Sequence, residues 1–558
     1  MIAKAPTQIF LPKNNTFIIA RDILSRTLNQ VITKGFQKMK LKTGLIFVLL
    51  LLMICIPLTG CKKNEEPPET NDGSDDFSGS IAPEDQTPPT GDGTEEEPVD
   101  EGDPNATYEI FTAEDLKTKL KLKGTYVLKA NIDLGGAEWK PVGTMAHPFS
   151  GTFNGGGFKI SGFKVTEKPT ASEGDVSLAF KYAYGGFFGV TDNATIKDTA
   201  FDSVTVNILQ NTENTFIYAG AVTGYAKNTS FSGITVTNAS VTAHSSEHST
   251  YVGALAGSMF KSSAAKCSFD ATLNAKESLE NAVCGGIAGE AHECEFTFCQ
   301  SSGSVTSVAK YGKSYSGGLA GYCSSGKISK CVSASSVNAT VSSSSAQTGK
   351  KGSAYAGGFA AVVTASSFNK RTEISESYTA DTCSVTATGN KNAAYAAGFA
   401  AYSEYGIYTH CYSRSSVKAE STSDAVYAAG LISYLLNQKD VPEATPYPYD
   451  TRITGCFSIG NVTVNTQTKA YFLGTLIYSD IEIEGEAFIF NSGYYENMNF
   501  YVNSDQPDNG NDRIQKNGLD VMSATYTSMT VLKDNYGWNA DTWEIKSGES
   551  FPTLKPSV

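Results

Sequence analysis

Residues 317–337 read GGLAGYCSSGKISKCVSASSV, a glycine-framed apolar pair followed by a run in which apolar residues alternate with serine. The opening phrase recurs as GGFFG (185–189), GAVTG (220–224), GALAG (253–257), GGIAG (285–289), GGFAA (357–361), AGFAA (397–401), AGLIS (429–433) and LGTLI (473–477). Successive copies begin 35, 33, 32, 32, 40, 40, 32 and 44 residues apart. Nine copies at a near-constant period are the mark of a repeat array, in which one unit cannot bury its apolar face alone and units stack. The alternation of apolar and hydroxyl residues is the period of strands. Each period therefore supplies two or three short strands, and equivalent positions lie about 4.8 Å apart along the stack.

The second half of the phrase also recurs, as GIYTHCYSRSSV (406–417) and TRITGCFSIGNV (451–462). In it a cysteine stands six residues before Val or Leu, at Cys267, Cys299, Cys331, Cys411 and Cys456. Five thiols at one repeat address predict a buried ladder of free cysteines, because stacked neighbours point the same way and match disulfide geometry poorly. Cys284, Cys294, Cys323 and Cys383 are less regular, and one pair among them could bridge. The 40- and 44-residue periods place insertions at 342–353, Asn369–Glu373 and 437–450, expected to project from one side as loops.

These phrases resemble the GLUG motif of bacterial surface proteins, which also lies beside the peptidase region of some IgA-cleaving metallopeptidases. The resemblance covers 185–480 and implies an all-β fold, a right-handed parallel β-helix capped at both ends. It extends to a leader through YEIFTAEDL (108–116) and FSGTFNGGGFKISGF (149–163), and to a closing segment at 537–555. Ala361, Ala397, Ala401, Ser433 and Ile477 depart from the motif's glycines. The N-terminal cap and first coils are expected over 107–184, with a short helix opened by Thr112 as N-cap and packed through Leu116, Leu120 and Leu122. The C-terminal cap is expected over 481–558, with Trp538, Trp543, Phe551 and Leu554 covering the last coil, since uncovered sheet edges invite aggregation.

Upstream of the repeats the chain changes character twice. Lys40 and Lys42 precede the apolar run Gly44–Ile56, and Leu58-Thr59-Gly60-Cys61 follows. A cationic stretch, an apolar run too short for a confident span and a small-residue cleavage site define an export signal over 39–60. Leu58–Cys61 resembles the bacterial lipobox, which implies lipid on the Cys61 thiol and a chain held to a membrane, facing away from the cytoplasm. Residues 1–38 read as an upstream extension, with Met39 as the start. Residues 61–106 are acidic and rich in proline, and are expected to form a disordered tether of roughly 40 Å root-mean-square span. Formal charge over the whole chain is −13, concentrated in that tether. No basic face exists, which argues against nucleic acid as a partner.

No catalytic constellation emerges. His244-Ser245-Ser246-Glu247-His248 matches a zinc-peptidase pattern that works only on a helix, whereas VTAHSSEHSTY reads as a turn. His292, Cys294 and Cys299 lack a fourth ligand for structural zinc. Glu290, Glu293 and Glu295 cluster, as do Asp480, Glu482, Glu484 and Glu486, and alternation makes both groups solvated strand faces. The expectation is a non-enzymatic surface protein for adhesion or ligand binding, without metal or cofactor; the alternatives are a polysaccharide-degrading β-helix enzyme, which would need acids from separate coils to converge on a groove, and a structural envelope protein with no ligand. Tyr218, Tyr251, Tyr315, Tyr355, Tyr395, Tyr427 and Tyr471 each stand two residues before the glycine phrase. Facing outward they form an amphipathic stripe for an extracellular glycan or protein; facing inward they are packing, which the small alternate residues favour.

Overall fold

The computed structural model describes residues 99–166, 181–210, 215–343, 352–366, 370–436, 451–466 and most of 528–556, with short strands elsewhere. The export signal, Cys61, the tether up to residue 98 and Ile477 lie outside the described residues. One coil shows the plan. Thr250–Gly253 leads through a tight turn to Ala256–Phe260, then Ser263–Ala265, then the long strand Ser268–Ser278, after which Ala282–Gly285 begins the next coil. Equivalent strands of successive coils pair in parallel, giving four sheets, here I to IV in coil order. The expected parallel β-helix is the observed fold.

Each corner has a physical cause. Between sheets II and III the chain turns at a left-handed residue, such as Asn228, Lys261 or Glu293, and between III and IV at another, such as Lys266, Lys330 or His410. Such a φ costs a side-chain-bearing residue energy, which a donor in the same corner offsets. The Sγ of Cys267, Cys331, Cys411 and Cys456 each donates to the carbonyl two residues earlier, at 3.3–3.4 Å. Thr199 and Ser377 do the same with hydroxyls, at 2.7 and 2.8 Å. Thiol, serine and threonine all serve at the repeated position; in the coil where Ile234 takes it, the left-handed residue before it is Gly233, which needs no such compensation.

Glycines set the approach of sheets I and II. A Cβ on Gly285 would lie 1.9 Å from the Ala288 carbonyl oxygen, inside the turn that joins the two sheets. One on Gly289 would lie 2.7 Å from the Val252 backbone nitrogen, on the sheet I strand of the preceding coil. Sheet I is consequently buried on both faces. Ala354 and Ala356 pack with Val337, Ala339 and Val341 of sheet IV. The opposite face meets sheet II. The main core, with Leu319, Ile328 and Cys331, reaches all four sheets and takes in Ile217, Val252 and Cys284 of sheet I.

At the N-terminus, helix α1 (Ala113–Lys119) begins at Thr112, whose hydroxyl accepts the Asp115 N–H, and buries Leu116 completely in the main core. Hydrogen-bonded structure starts slightly before residue 107, because the Lys123 N–H donates to the Glu101 carbonyl at 2.7 Å.

Two expectations are corrected. The insertions do not leave from one side: 342–353 joins Val341 of sheet IV to Ser353 of sheet I, whereas 437–450 joins sheet II to sheet III. Glu373 itself opens a sheet III strand. The C-terminal tryptophans do not cover the last coil. Helix α2 (Met529–Tyr536) and the antiparallel pair Trp543–Glu544 with Thr553–Leu554 lie against the outward face of sheet IV. There Trp538 and Trp543 pack on Tyr412, Phe457 and Tyr378. Those three occupy the outward position of successive short sheet IV strands, so the flat aromatic row, not the open end, attracts the tryptophans.

Candidate functional site

The tyrosine address is real but internal. Tyr218, Tyr251, Tyr315, Tyr355, Tyr395 and Tyr427 stand in register on sheet I, with Val283 in the one gap. Their rings stack at 4.5–5.2 Å between Tyr218 and Tyr251, Tyr315 and Tyr355, Tyr355 and Tyr395, and Tyr395 and Tyr427. All are buried except Tyr395, which is half-buried. The ladder faces sheet II of the following coil, so it is packing and not an exposed ligand stripe. Across that seam rings meet edge to face: Tyr355 with Tyr402 and Tyr395 with Tyr434 of the following coil, and Tyr218 with Tyr225 and Tyr427 with Tyr434 of their own. Tyr184 is a further rung, in register with Tyr218, hidden in the sequence because the first turn is one residue shorter. Tyr471 pairs with Val426, and Phe472 takes the tyrosine's place beside Tyr427; the Tyr471 side chain lies outside the described residues.

The acidic cluster at 290–295 is split by the strand. Glu295 is exposed on sheet III, but Glu290 is only 2 % exposed, facing the tyrosine seam. Its Oε1 lies 3.0 Å from His292 Nε2, and the Ser258 hydroxyl donates to Oε2 at 3.4 Å. The alternation rule failed here because sheet II is covered on both faces. Asp480, Glu482, Glu484 and Glu486 lie outside the described residues.

All nine described cysteines are free and buried, so no pair bridges. In the ladder the Cys299 N–H donates to Cys331 Sγ at 3.4 Å, and the Cys411 N–H to Cys456 Sγ at 3.3 Å. Burial pushes the thiols of Cys284, Cys294 and Cys323 up to about 12 and that of Cys383 up to about 11. A thiol raised above the unfolded value of about 8.5 leaves stability intact below that pH, and stability is lost as pH climbs towards 12. A mapped thiol-labelling experiment at pH 8 is expected to leave all nine unmodified in the native protein and modified in urea. The urea midpoint is expected to hold below pH 8 and fall above 9. Rapid native labelling of any ladder cysteine would contradict this assignment.

The histidine motifs come apart. His244 lies near the end of a sheet IV strand, with Nδ1 3.0 Å from the Lys276 carbonyl oxygen, and His248 lies beyond that strand, stacked on Phe216. His292 ends a sheet II strand, whereas Cys294 and Cys299 sit in different corners. Among the described residues no group of three or more His, Cys, Asp or Glu is placed to hold a metal ion.

What the sequence reading passed over is the outer face of sheet IV. Asn207, Thr242, Asn274, Thr306, Asn338, Thr386, Lys418 and Thr463 stand in one register across eight coils. Beside them run Ser240, Thr272, Ser304, Ser336, Ser384 and Ser416. Every one of these side chains is at least partly exposed. The signal was present, since a polar residue immediately follows each Val or Leu of the second phrase, but polar residues on a strand read as mere solvation. As a face this is an extended, nearly uncharged array of hydroxyls and amides, able to exchange hydrogen bonds along its length.

No family model matches this chain, and no curated protein matches it. Among solved structures, it is similar to a candidate immunoglobulin A1 protease from Bacteroides ovatus, at 15 % identity and a TM-score of 0.31, over 80 % of this chain and 92 % of that one. It is also similar to a protein named IgA1 protease, at 12 % identity and a TM-score of 0.29, over 73 % of this chain and 23 % of that one. No residue role is carried over from either.

Proposed function

We propose that this chain is a bacterial surface lipoprotein, held by lipid on Cys61, whose solenoid is a non-catalytic binding element for an extracellular glycan or protein. The observation that carries the binding reading is the pair of in-register polar rows on sheet IV, because a large, regular, solvent-facing array offers many weak contacts to an extended ligand. The lipobox-like Leu58–Cys61 and the acidic stretch after it support an anchored position, and the GLUG-like phrases support a surface role.

Metabolic labelling with a radioactive fatty acid tests the anchor. Wild type is expected to take up label and fractionate with membranes, and Cys61→Ser to lose both; label retained by that variant would refute the assignment. The binding reading is tested by presenting the full-length protein in detergent with polysaccharides and glycoproteins, scoring retention and released fragments together. Saturable retention without fragments supports it, and released fragments would mean an enzyme.

A further inference from the structure

One end of the polar face carries a built recess. At the ends of three neighbouring sheet IV strands, Thr388, Asn390, Glu420, Thr422, Asn465 and Thr466 line an open depression of about 460 Å³, a volume within the range of roughly 300–1,000 Å³ typical of small-molecule sites. Thr388, Glu420 and Asn465 are in one register, the third outward row of the sheet, beside the row of Thr386, Lys418 and Thr463. The recess is therefore continuous with the array.

Its chemistry is narrow. Glu420 is fixed from two sides: the Thr388 hydroxyl donates to Oε1 at 3.0 Å, and Lys418 Nζ lies 2.7 Å from Oε2. The lining is otherwise hydroxyl and amide. The rim is held by the Thr422 hydroxyl, which donates to the Asn390 carbonyl at 2.7 Å. Because Lys418 balances the carboxylate, the recess carries no net charge to attract an ion of either sign. What remains is a set of donors and acceptors, held in place before any ligand arrives, which suits a neutral, hydroxyl-rich molecule.

We infer that this recess is a subsite for one residue of a neutral polysaccharide, whose neighbouring residues lie along the hydroxyl and amide rows of sheet IV. This rests on the ligand-binding reading and specifies its ligand class.

The test measures retention of full-length protein on immobilised neutral, acidic and basic polysaccharides. Wild type is compared with Glu420→Ala, with Thr422→Trp, which obstructs the recess from its exposed rim, and with Thr272→Trp, on the same face several coils away. The expected result is saturable binding to a neutral polysaccharide, weakened roughly tenfold or more by either recess variant and little changed by Thr272→Trp. Thr422→Trp alters an exposed side chain, so its loss of binding with an unchanged circular dichroism spectrum separates occlusion from misfolding. Equal binding by all four proteins, or binding confined to charged polymers, overturns the subsite and leaves the ligand-binding reading standing. Retention on none of the polymers overturns the subsite; if glycoproteins also fail to bind, the ligand-binding reading falls with it.

Discussion

Trp538→Ala is expected to release the C-terminal segment from the side of the solenoid. Trp538 is 1 % exposed and touches Trp543, Phe457 and Tyr412, with ring centroids 4.6–5.9 Å apart. Its indole N–H donates to the Gly455 carbonyl at 2.9 Å. Removing a fully buried tryptophan side chain costs about 3–5 kcal/mol, and the lost hydrogen bond adds about 1 kcal/mol. The segment's other contacts are Trp543 on Tyr378 and Tyr412, the buried Leu532, the Tyr412 hydroxyl donating to the Pro552 carbonyl at 2.5 Å, and Arg414 over the Phe551 ring. They are not expected to hold the segment alone. Limited proteolysis should then cut the C-terminal segment away while the described strands of the solenoid resist, and the uncovered Tyr412 and Phe457 should promote self-association. Trp543→Phe supplies the contrast, since the Trp543 ring nitrogen has no hydrogen-bond partner among the described residues and only shape is lost. Equal protease resistance of Trp538→Ala and wild type would show that the segment is held elsewhere.

The second large effect is expected at the buried pair in the tyrosine seam. His292→Ala takes the imidazole away from the Glu290 carboxylate, which is 2 % exposed and accepts from the Ser258 hydroxyl at 3.4 Å. Breaking a buried pair from one side costs about 3–5 kcal/mol, because the remaining buried group loses a partner that burial keeps water from replacing. Removing both partners is a different perturbation. The equivalent positions two coils on are Val362 and Thr364, on a sheet II strand that packs against the sheet I strand carrying Tyr315. Glu290→Val with His292→Thr therefore installs a combination the solenoid uses, and should cost at most about 1–2 kcal/mol. Urea denaturation followed by circular dichroism distinguishes the cases. If the double variant is as unstable as His292→Ala, packing volume and not the lost pair governs the site.

These two sites also mark where sequence reasoning reached and where it stopped. Cys267, Cys299, Cys331, Cys411 and Cys456 were readable as a buried ladder because one address repeated with one chemistry. Their hydrogen-bonding role in the corner was equally available from Thr199 and Ser377, which replace sulfur with oxygen at the same place. Thr112 and Leu116 were readable because a helix cap is local. Glu290 was misread as solvated, since alternation reports which side of a strand a residue occupies and not what covers that side. Trp538 and Trp543 were assigned to the wrong surface for a related reason: their apolar size demands burial, but nothing local selects the partner. Tyr471 was placed by counting back from its glycine phrase, which the strand register shows to be offset by one residue.

The amino-acid sequence by itself determined the repeat, the parallel stacking and the inward chemistry of each coil. Period, glycine placement and alternation are properties of neighbours along the chain, and stacking copies them from coil to coil. Only the tertiary structure decided that sheet I lies between sheets II and IV, that the tyrosines are packing, and that the polar rows of sheet IV remain open to solvent. A strand's two faces are chemically equivalent until another layer arrives to cover one of them.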